Sequence, residues 1–289
     1  GFHTVLACRK VADGEKAKEE ICKGKGGGKI TVMQLDLCDF ASVRSFCAEF
    51  RNKGLPLHVL ITNAGILRWK GWVASKDGFE EHLQANHLGH FLLVRELLPV
   101  TLRAPGPRVV SVGSELCLHA ALKWDDLNNK SGFDAYMQSK LCNLLHIEEL
   151  HRRHGGAKGP LRAVCIDPGE ANTDIVRHFP MGWAIKIFLR FMPASVTSQR
   201  TCKEGADSAV FCATCDDATA ASFSGKFVRD RKLFAPEGGG TSLSPFSQIF
   251  LWALAKGHPG QDDRGAEAGA RLWDLSEQIV DGKRKLGQY

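Results

Sequence analysis

Tyr136 and Lys140 have the side chains and the spacing that proton transfer to an organic oxygen requires. Residues four apart lie on one face of a helix, so the lysine ammonium would lie next to the tyrosine phenol. A cation at that distance lowers a tyrosine pKa from its usual value of about 10. The phenol could then exchange a proton with a carbonyl or an alcohol near neutral pH. The same spacing arises by chance on amphipathic helices, so other residues must support this interpretation.

Size and charge favour a folded domain that does not bind nucleic acid. The chain has 289 residues, 44% of them hydrophobic and 24% charged, which is ordinary for a globular protein. We expect a single α/β domain over residues 1–289. The net charge of +6 comes from basic residues that are scattered rather than gathered on one stripe. We therefore expect no nucleic-acid partner.

The ten cysteines show no spacing typical of a secreted disulfide framework. Several lie in apolar patterns and are expected to be buried thiols in a reducing compartment. The pair Cys212 and Cys215 has no second pair and no His partner, so we expect no metal site. No run of eighteen apolar residues occurs, but residues 181–192 could lie on a membrane surface. An intracellular protein, cytoplasmic or peripherally membrane-associated, is the expectation.

Apolar strand patterns alternate with helical patterns of ten or more residues along the chain. This alternation predicts βαβ units, hence a mainly parallel sheet with helices on both faces. Strands are predicted at 3–8, 29–35, 57–62, 108–112, 161–166 and 225–229, and helices at 13–22, 41–52, 78–102, 136–153, 204–215 and 265–280.

Chemically useful residues follow several of these strands. Because ligands bind beyond the carboxyl ends of parallel strands, such residues are expected to meet at one edge of the sheet. Turns after strands are rich in Gly, Pro and Ser in any case, so no single one decides the matter. The residues concerned are Arg9 and Lys10, Asn63-Ala64-Gly65, Ser114, and Pro168-Gly169.

Several of these residues lie in runs that resemble the short-chain dehydrogenase/reductase family, in its retinol-dehydrogenase-like branch. The resemblance covers most of the chain. The resemblance implies a doubly wound, Rossmann-like α/β fold. Gly113 departs from the family pattern, because a second Ser is common before the catalytic one. The matching runs are Leu35-Asp36-Leu37, Thr62-Asn63-Ala64-Gly65, Asn86-His87-Leu88-Gly89-His90-Phe91, Val110-Ser111-Val112-Gly113-Ser114, Tyr136 to Lys140, and Asp167-Pro168-Gly169.

The resemblance assigns four catalytic residues. Tyr136 would be the general acid when a carbonyl is reduced and the base in the reverse reaction. Lys140 would lower the tyrosine pKa and bond the nicotinamide ribose. Ser114 would hold the substrate oxygen about 3 Å from the phenol. Asn86 would interrupt its long helix and anchor a water chain for proton delivery.

Charge at the end of the first strand favours NADP(H) over NAD(H). An NAD-binding sheet commonly has an acid after its second strand for the ribose 2′-hydroxyl, whereas this chain has Arg9 and Lys10 at the corresponding position. Two cations suit a 2′-phosphate. Asp36 resembles the aspartate near the adenine ring, or it caps the following helix. The expected cofactor contacts are Arg9, Lys10, Asp36, Asn63, Ala64, Gly65, Tyr136, Lys140, Pro168, Gly169 and Thr173, the last near the nicotinamide carboxamide.

The resemblance breaks at the phosphate-binding turn. The family's first strand ends in a Thr-Gly-x-x-x-Gly-x-Gly turn, and no such run occurs in this sequence. We expect the first strand to be absent from the sheet and the chain to be an N-terminally truncated reductase. The alternative is a catalytically silent adaptor that keeps the reductase fold for protein interactions.

Apolar residues favour a lipophilic substrate. Residues 173–193 occupy the place of the family's substrate flap and would suit a retinoid, a steroid or another lipophilic carbonyl or alcohol, although they could equally cover the core. Residues 233–263 look like an insertion before the last helix. A homodimer through the helices at 78–102 and 136–153 is expected from the family.

Overall fold

The computed structural model describes residues 1–24, 28–69, 71–128, 132–169, 200–234 and 264–284. Short turns of other helix types lie at Leu83–Leu88 (π) and at Glu115–His119 and Gly156–Lys158 (3-10). The main elements are β1 (Thr4–Cys8), α1 (Val11–Lys23), β2 (Ile30–Gln34), α2 (Phe40–Asn52), β3 (Val59–Thr62), α3 (Gly89–Thr101), β4 (Arg108–Val112), α4 (Gly132–His154), β5 (Arg162–Ile166), α5 (Cys202–Thr214), α6 (Asp217–Phe223), β6 (Phe227–Arg229), β7 (Lys232–Leu233) and α7 (Ala266–Val280).

Five strands form one sheet in the order β3-β4-β5-β6-β7. The first four run parallel, and β7 pairs antiparallel with β6. Ile61 lies opposite Val110, and Val112 lies opposite Ile166. Parallel pairing needs long crossover connections, which the helices supply. The carboxyl ends of β3, β4 and β5 therefore meet along one edge of the sheet.

Alternate residues of the central strands pack into two different hydrophobic clusters. Val109 and Ala163 belong to the cluster that contains buried residues of α2, α3, α4 and α7. Their neighbours Val110 and Val164 belong to a second cluster with Ala209 of α5. Successive strand residues point to opposite faces, so helices cover the sheet on both sides. The predicted doubly wound α/β fold is confirmed.

The described sheet is interrupted between β1 and β3. β1 pairs only with β2, in a separate parallel pair, and neither is bonded to β3 among the described residues. Apolar side chains are exposed on both sides of this interruption: Ile61 on β3 is 41% exposed, and Val11 and Ile21 on α1 are 44% and 50% exposed. Among the described residues, no strand lies at the place where the family resemblance expects the first strand of the sheet.

Several predicted helices differ from the observed ones. Residues 78–102 do not form one α-helix: a π-helix at Leu83–Leu88 precedes α3. α5 begins at Cys202 because Thr201 and Glu204 form a capping box. α6 was not predicted at all. The expected insertion lies almost entirely outside the described residues. Within the described ranges, no helix combines the length and apolar character that a bilayer crossing requires.

Candidate active site

Tyr136 and Lys140 lie on the buried face of α4, where they are 5% and 3% exposed. The lysine Nζ lies 5.8 Å from the centre of the phenol ring and donates to the Val112 carbonyl at the end of β4, at 2.9 Å. Burial lowers the pKa of Lys140 to about 8. The two residues therefore share one environment at the carboxyl end of the sheet.

Burial raises the pKa of Tyr136 well above its usual value, whereas a hydrogen bond with Ser114 lowers it in part. The expectation that Lys140 lowers this pKa is wrong for the described arrangement. Loss of hydration disfavours the charged form of both groups, so burial moves the two pKa values in opposite directions. A phenol with a raised pKa stays protonated at neutral pH.

Ser114 lies two residues after the end of β4 and caps a 3-10 turn, its Oγ accepting a hydrogen bond from Leu116 N at 3.3 Å. The same hydroxyl is hydrogen-bonded to the Tyr136 phenol. Gly113 precedes it, and a Cβ there would lie 2.7 Å from Cys165 Sγ. The tight packing of β4 on β5 explains why this chain has glycine where the family often has serine.

Asn86 lies in the π-helix and is fully buried. Its side chain accepts from Ile66 N at 2.8 Å and donates to Ile66 O at 3.1 Å and to Ser139 Oγ at 3.0 Å. The Nδ1 of His90 bonds the Asn86 carbonyl oxygen at 3.0 Å. Asn86 thus fixes the segment that follows β3 to α4. Its role in a water chain stays a prediction.

The segment after β3 reaches the lysine. A Cβ placed on Gly65 would lie 3.3 Å from Asn86 Oδ1 and 3.5 Å from Lys140 Nζ. Asn63 and Ala64 precede it and are exposed. A backbone that passes this close to a buried ammonium can border a bound ribose. The residues present therefore fit the nicotinamide-riboside half of a dinucleotide, but the sequence contains no turn for the pyrophosphate.

Pro168 and Gly169 follow β5 at the same edge, and Gly169 N donates to Asp167 Oδ1 at 3.2 Å. Asp167 is buried, and burial, reinforced by Glu115, raises its pKa to about 6 despite the opposing charge of Arg229. Thr173, the remaining expected contact on this side, lies outside the described residues.

Arg9 and Lys10 follow β1 and are exposed, and neither forms an ion pair within the described part of the chain. Asp36 accepts from Cys38 N at 2.9 Å. The alternative that Asp36 caps α2 is wrong, because Asp39 accepts from the first amides of that helix. The structure therefore does not connect the adenosine-side residues to the Tyr136 group by any contact among described side chains.

One charged group at the site has no sequence motif. Arg229, at the end of β6, lies 2.6 Å from Glu115 Oε2 and 3.3 Å from Asp167 Oδ2. Both carboxylates are buried, so the Arg229 guanidinium is the counter-ion of two buried acids. One acid follows Ser114 in the chain, and the other lies two residues before Gly169. A signal was available: each of these three charged residues lies at or just after a strand end.

Comparisons with known proteins agree with this geometry. Residues 1–181 match the family model for short chain dehydrogenase. The chain belongs to this family, whose members are oxidoreductases acting on CH–OH groups. Its catalytic residues, by that membership and by the contacts above, are expected to be Tyr136, Lys140, Ser114 and Asn86.

The curated relatives lie in the predicted branch. The chain is 34% identical to mouse polyprenol dehydrogenase, over 88% of this chain and 75% of the relative. It is 30% identical to chicken WW domain-containing oxidoreductase, over 100% of this chain and 64% of the relative. It is 33% identical to human retinol dehydrogenase 12, over 80% and 71%. This chain thus spans about two thirds to three quarters of the length of these relatives.

A solved structure shows the same fold. A putative uncharacterized protein from Mycobacterium paratuberculosis is 30% identical, with a TM-score of 0.63 over 98% of this chain and 85% of that chain. By the family match and this likeness together, the fold described above is that of the short-chain dehydrogenases.

Proposed function

We propose that the protein is an NADP(H)-dependent oxidoreductase that interconverts a lipophilic carbonyl and its alcohol. The observation that carries the proposal is the meeting of Tyr136, Ser114 and Lys140 at the carboxyl end of β4. These contacts join a proton donor, a hydroxyl for the substrate oxygen and a buried ammonium in one place. In general acid–base catalysis, the first requirement is that the proton donor lies within hydrogen-bond reach of the substrate oxygen, and the pKa of the donor comes second.

The chain's own residues would handle the proton. A nicotinamide cofactor supplies or accepts the hydride when bound. Tyr136, kept protonated by burial, gives its proton to the substrate oxygen as the carbonyl is reduced. Ser114 donates a hydrogen bond to the same oxygen and holds it beside the phenol. Lys140, an ammonium below pH 8, stabilises the phenolate that remains. This arrangement suits reduction better than oxidation.

The lipophilic substrate class draws on the relatives and on the sequence. The printed names of the relatives refer to polyprenol and retinol, both long apolar alcohols. The sequence prediction of an apolar substrate flap at 173–193 favours the same class, although these residues lie outside the described ranges. Peripheral membrane contact and a homodimer through α3 and α4 stay predictions.

A substrate panel tests the substrate class. NADPH oxidation by the full chain would be followed with retinal, keto-steroids and small polar sugars. Turnover of retinal or steroids is expected, and turnover of the sugars alone would overturn the lipophilic assignment. If the chain binds no NADPH by titration of nicotinamide fluorescence, the adaptor alternative is favoured instead.

The cofactor preference has its own test. Arg9 and Lys10 are exposed cations at the end of β1, with no acid between them and Asp13. The double change Arg9→Asp and Lys10→Ala is expected to reverse the preference, because a carboxylate bonds a ribose hydroxyl and repels a 2′-phosphate. Lys16→Ala, at an exposed lysine of α1 six residues after Lys10, is the matched control. Unchanged NADPH over NADH selectivity in the double variant would refute the assignment.

A further inference from the structure

A buried carboxylate–imidazole pair lies beside the catalytic tyrosine. His82 Nδ1 lies 2.6 Å from Glu80 Oε1, and both side chains are almost fully buried. Glu80 Oε2 also accepts from His82 N at 2.9 Å and from Leu83 N at 3.0 Å. The carboxylate therefore binds both the imidazole and the first amides of the π-helix, so its position is fixed from two sides.

The contacts determine the form of His82. Arg68 N lies 2.8 Å from His82 Nε2, and a backbone N–H can only donate. Nε2 must therefore accept, so the imidazole is neutral and carries its hydrogen on Nδ1, where it donates to Glu80. A carboxylate that orients an imidazole by its Nδ1–H fixes both its tautomer and its ring plane.

The pair holds the post-β3 segment (residues 66–69) against the tyrosine. Leu67 of this segment is buried with Phe133 and Tyr136 in one apolar cluster, and Trp69 packs 5.6 Å from Phe133. The edge of the His82 ring meets the Tyr136 ring at 6.2 Å between centroids and 78° between planes. The imidazole thus contacts the phenol ring on one side and the backbone of the segment beside it on the other.

We propose that Glu80 and His82 are positioning residues that set the orientation of the Tyr136 phenol, an inference that rests on the proposed carbonyl–alcohol oxidoreduction. Neither residue reaches the reacting atoms. His82 acts through its ring contact and through Arg68 N, and Glu80 acts by fixing His82. Asn86 holds Ile66 in the same segment, so the pair supplies a second attachment point two residues further along the chain.

The phenol can be observed directly, because the chain has only two tyrosines, Tyr136 and Tyr289. In a Tyr289→Phe background, ring-labelled tyrosine gives NMR signals from Tyr136 alone. The ring edge of His82 should shift these signals. They report the position of the phenol without any cofactor, substrate or turnover.

His82→Phe removes the acceptor for Arg68 N and the donor to Glu80 while keeping an aromatic ring. We expect moved and broadened Tyr136 signals, and a kcat for carbonyl reduction lowered about 10- to 100-fold with KM for NADPH within about twofold. His82→Gln can still accept from Arg68 N and donate to Glu80 but lacks the ring, so it should recover part of the lost kcat. Glu80→Gln, which keeps the volume, should give an intermediate effect if His82→Phe does not fold.

His87→Phe is the matched control. His87 is equally buried, but its Nε2 bonds Ser276 Oγ of α7 at 3.0 Å instead of a residue of the post-β3 segment. This variant should lose a similar amount of thermal stability with unchanged Tyr136 signals and kcat.

The two proposals fail separately. If His82→Phe and His87→Phe leave the Tyr136 signals equally unchanged, the positioning role is overturned even when the enzyme is active. If the parent chain turns over no carbonyl compound but His82→Phe still moves the Tyr136 signals, the positioning of the phenol stands and the proposed function falls.

Discussion

The two ends of the interrupted sheet differ in how completely their functional residues are held. Around α4, Tyr136, Lys140 and Asn86 are buried and tied by hydrogen bonds to β4 and to the segment after β3. In the β1–β2 unit, Arg9 and Lys10 are exposed, and α1 leaves Val11 and Ile21 open to solvent. The proposed proton-transfer residues are held by contacts inside the described chain, whereas the proposed adenosine-side residues are indicated only by their charge. Variants in the two regions should therefore behave differently.

Tyr136→Phe gives the largest expected effect on activity. Phe preserves the packing of the ring against Leu67 and Phe133 but removes the only proton that the proposal transfers. Carbonyl reduction should fall about 10²- to 10⁴-fold, which is the usual contribution of a positioned general acid. Steady-state NADPH oxidation measures this, with Tyr289→Phe as the control that keeps full activity. A Tyr136→Phe enzyme as fast as its parent would remove the reason for regarding the α4 region as catalytic.

Arg229→Met tests how strongly the same region depends on buried charge. The change leaves Glu115 and Asp167 buried without their cation, so the free energy of unfolding should fall by about 3–5 kcal/mol. Arg231→Met is the matched control, because Arg231 pairs with Asp207 at the surface, where an exposed ion pair contributes little to stability. Urea unfolding of both variants measures the difference. Equal losses would show that the Arg229 group is not a buried network.

Lys140→Met should separate activity from stability. Burial lowers the pKa of Lys140 from 10.5 to about 8, so at pH 7 the folded protein carries an ammonium at a cost of about 3 kcal/mol. The variant should lose reduction activity, but its free energy of unfolding should be higher than that of the parent. The gain is reduced by the cost of leaving the Val112 carbonyl without its hydrogen bond.

The stability difference between Lys140→Met and the parent should depend on pH. Between pH 8 and pH 10.5 the unfolded parent binds more protons at this lysine than the folded one, so the parent gains stability as pH rises. The advantage of Lys140→Met should therefore shrink across this window in unfolding curves recorded from pH 7 to pH 10.5. A constant difference would mean that the lysine is hydrated in the folded protein.

Local patterns in the sequence predict most of this fold, because strand alternation and helix caps are properties of neighbouring residues. The strands at 108–112 and 161–166 agree with β4 and β5 within one residue. The spacing of Tyr136 and Lys140 correctly places them on one helix face. It does not show that this face is buried, and burial reverses the expected shift of the tyrosine pKa.

Contacts between distant residues could not be predicted in the same way. Arg229 meets Glu115 across 114 positions and His82 meets Arg68 across 14, and neither pairing has a motif of its own. The family resemblance implied that Asn86 interrupts its long helix, and the π-helix at Leu83–Leu88 contains Asn86. The π form and its bounds could not be predicted, because an apolar helical pattern looks the same with one extra residue per turn. The cap of α2 was assigned to Asp36 as one alternative, but two acids lie before that helix and only backbone geometry selects Asp39.

The smallest expected effect lies at the interruption of the sheet. Ile61 and Val110 are partners in the β3–β4 register, yet Ile61 is 41% exposed and Val110 is fully buried. Ile61→Thr should change the free energy of unfolding by less than about 0.5 kcal/mol, as for other exposed positions. Val110→Ala should cost about 2 kcal/mol through lost burial and a small cavity. Chemical denaturation of the two variants compares them directly, and a loss at Ile61 as large as that at Val110 would show that this edge of β3 is covered in the folded protein.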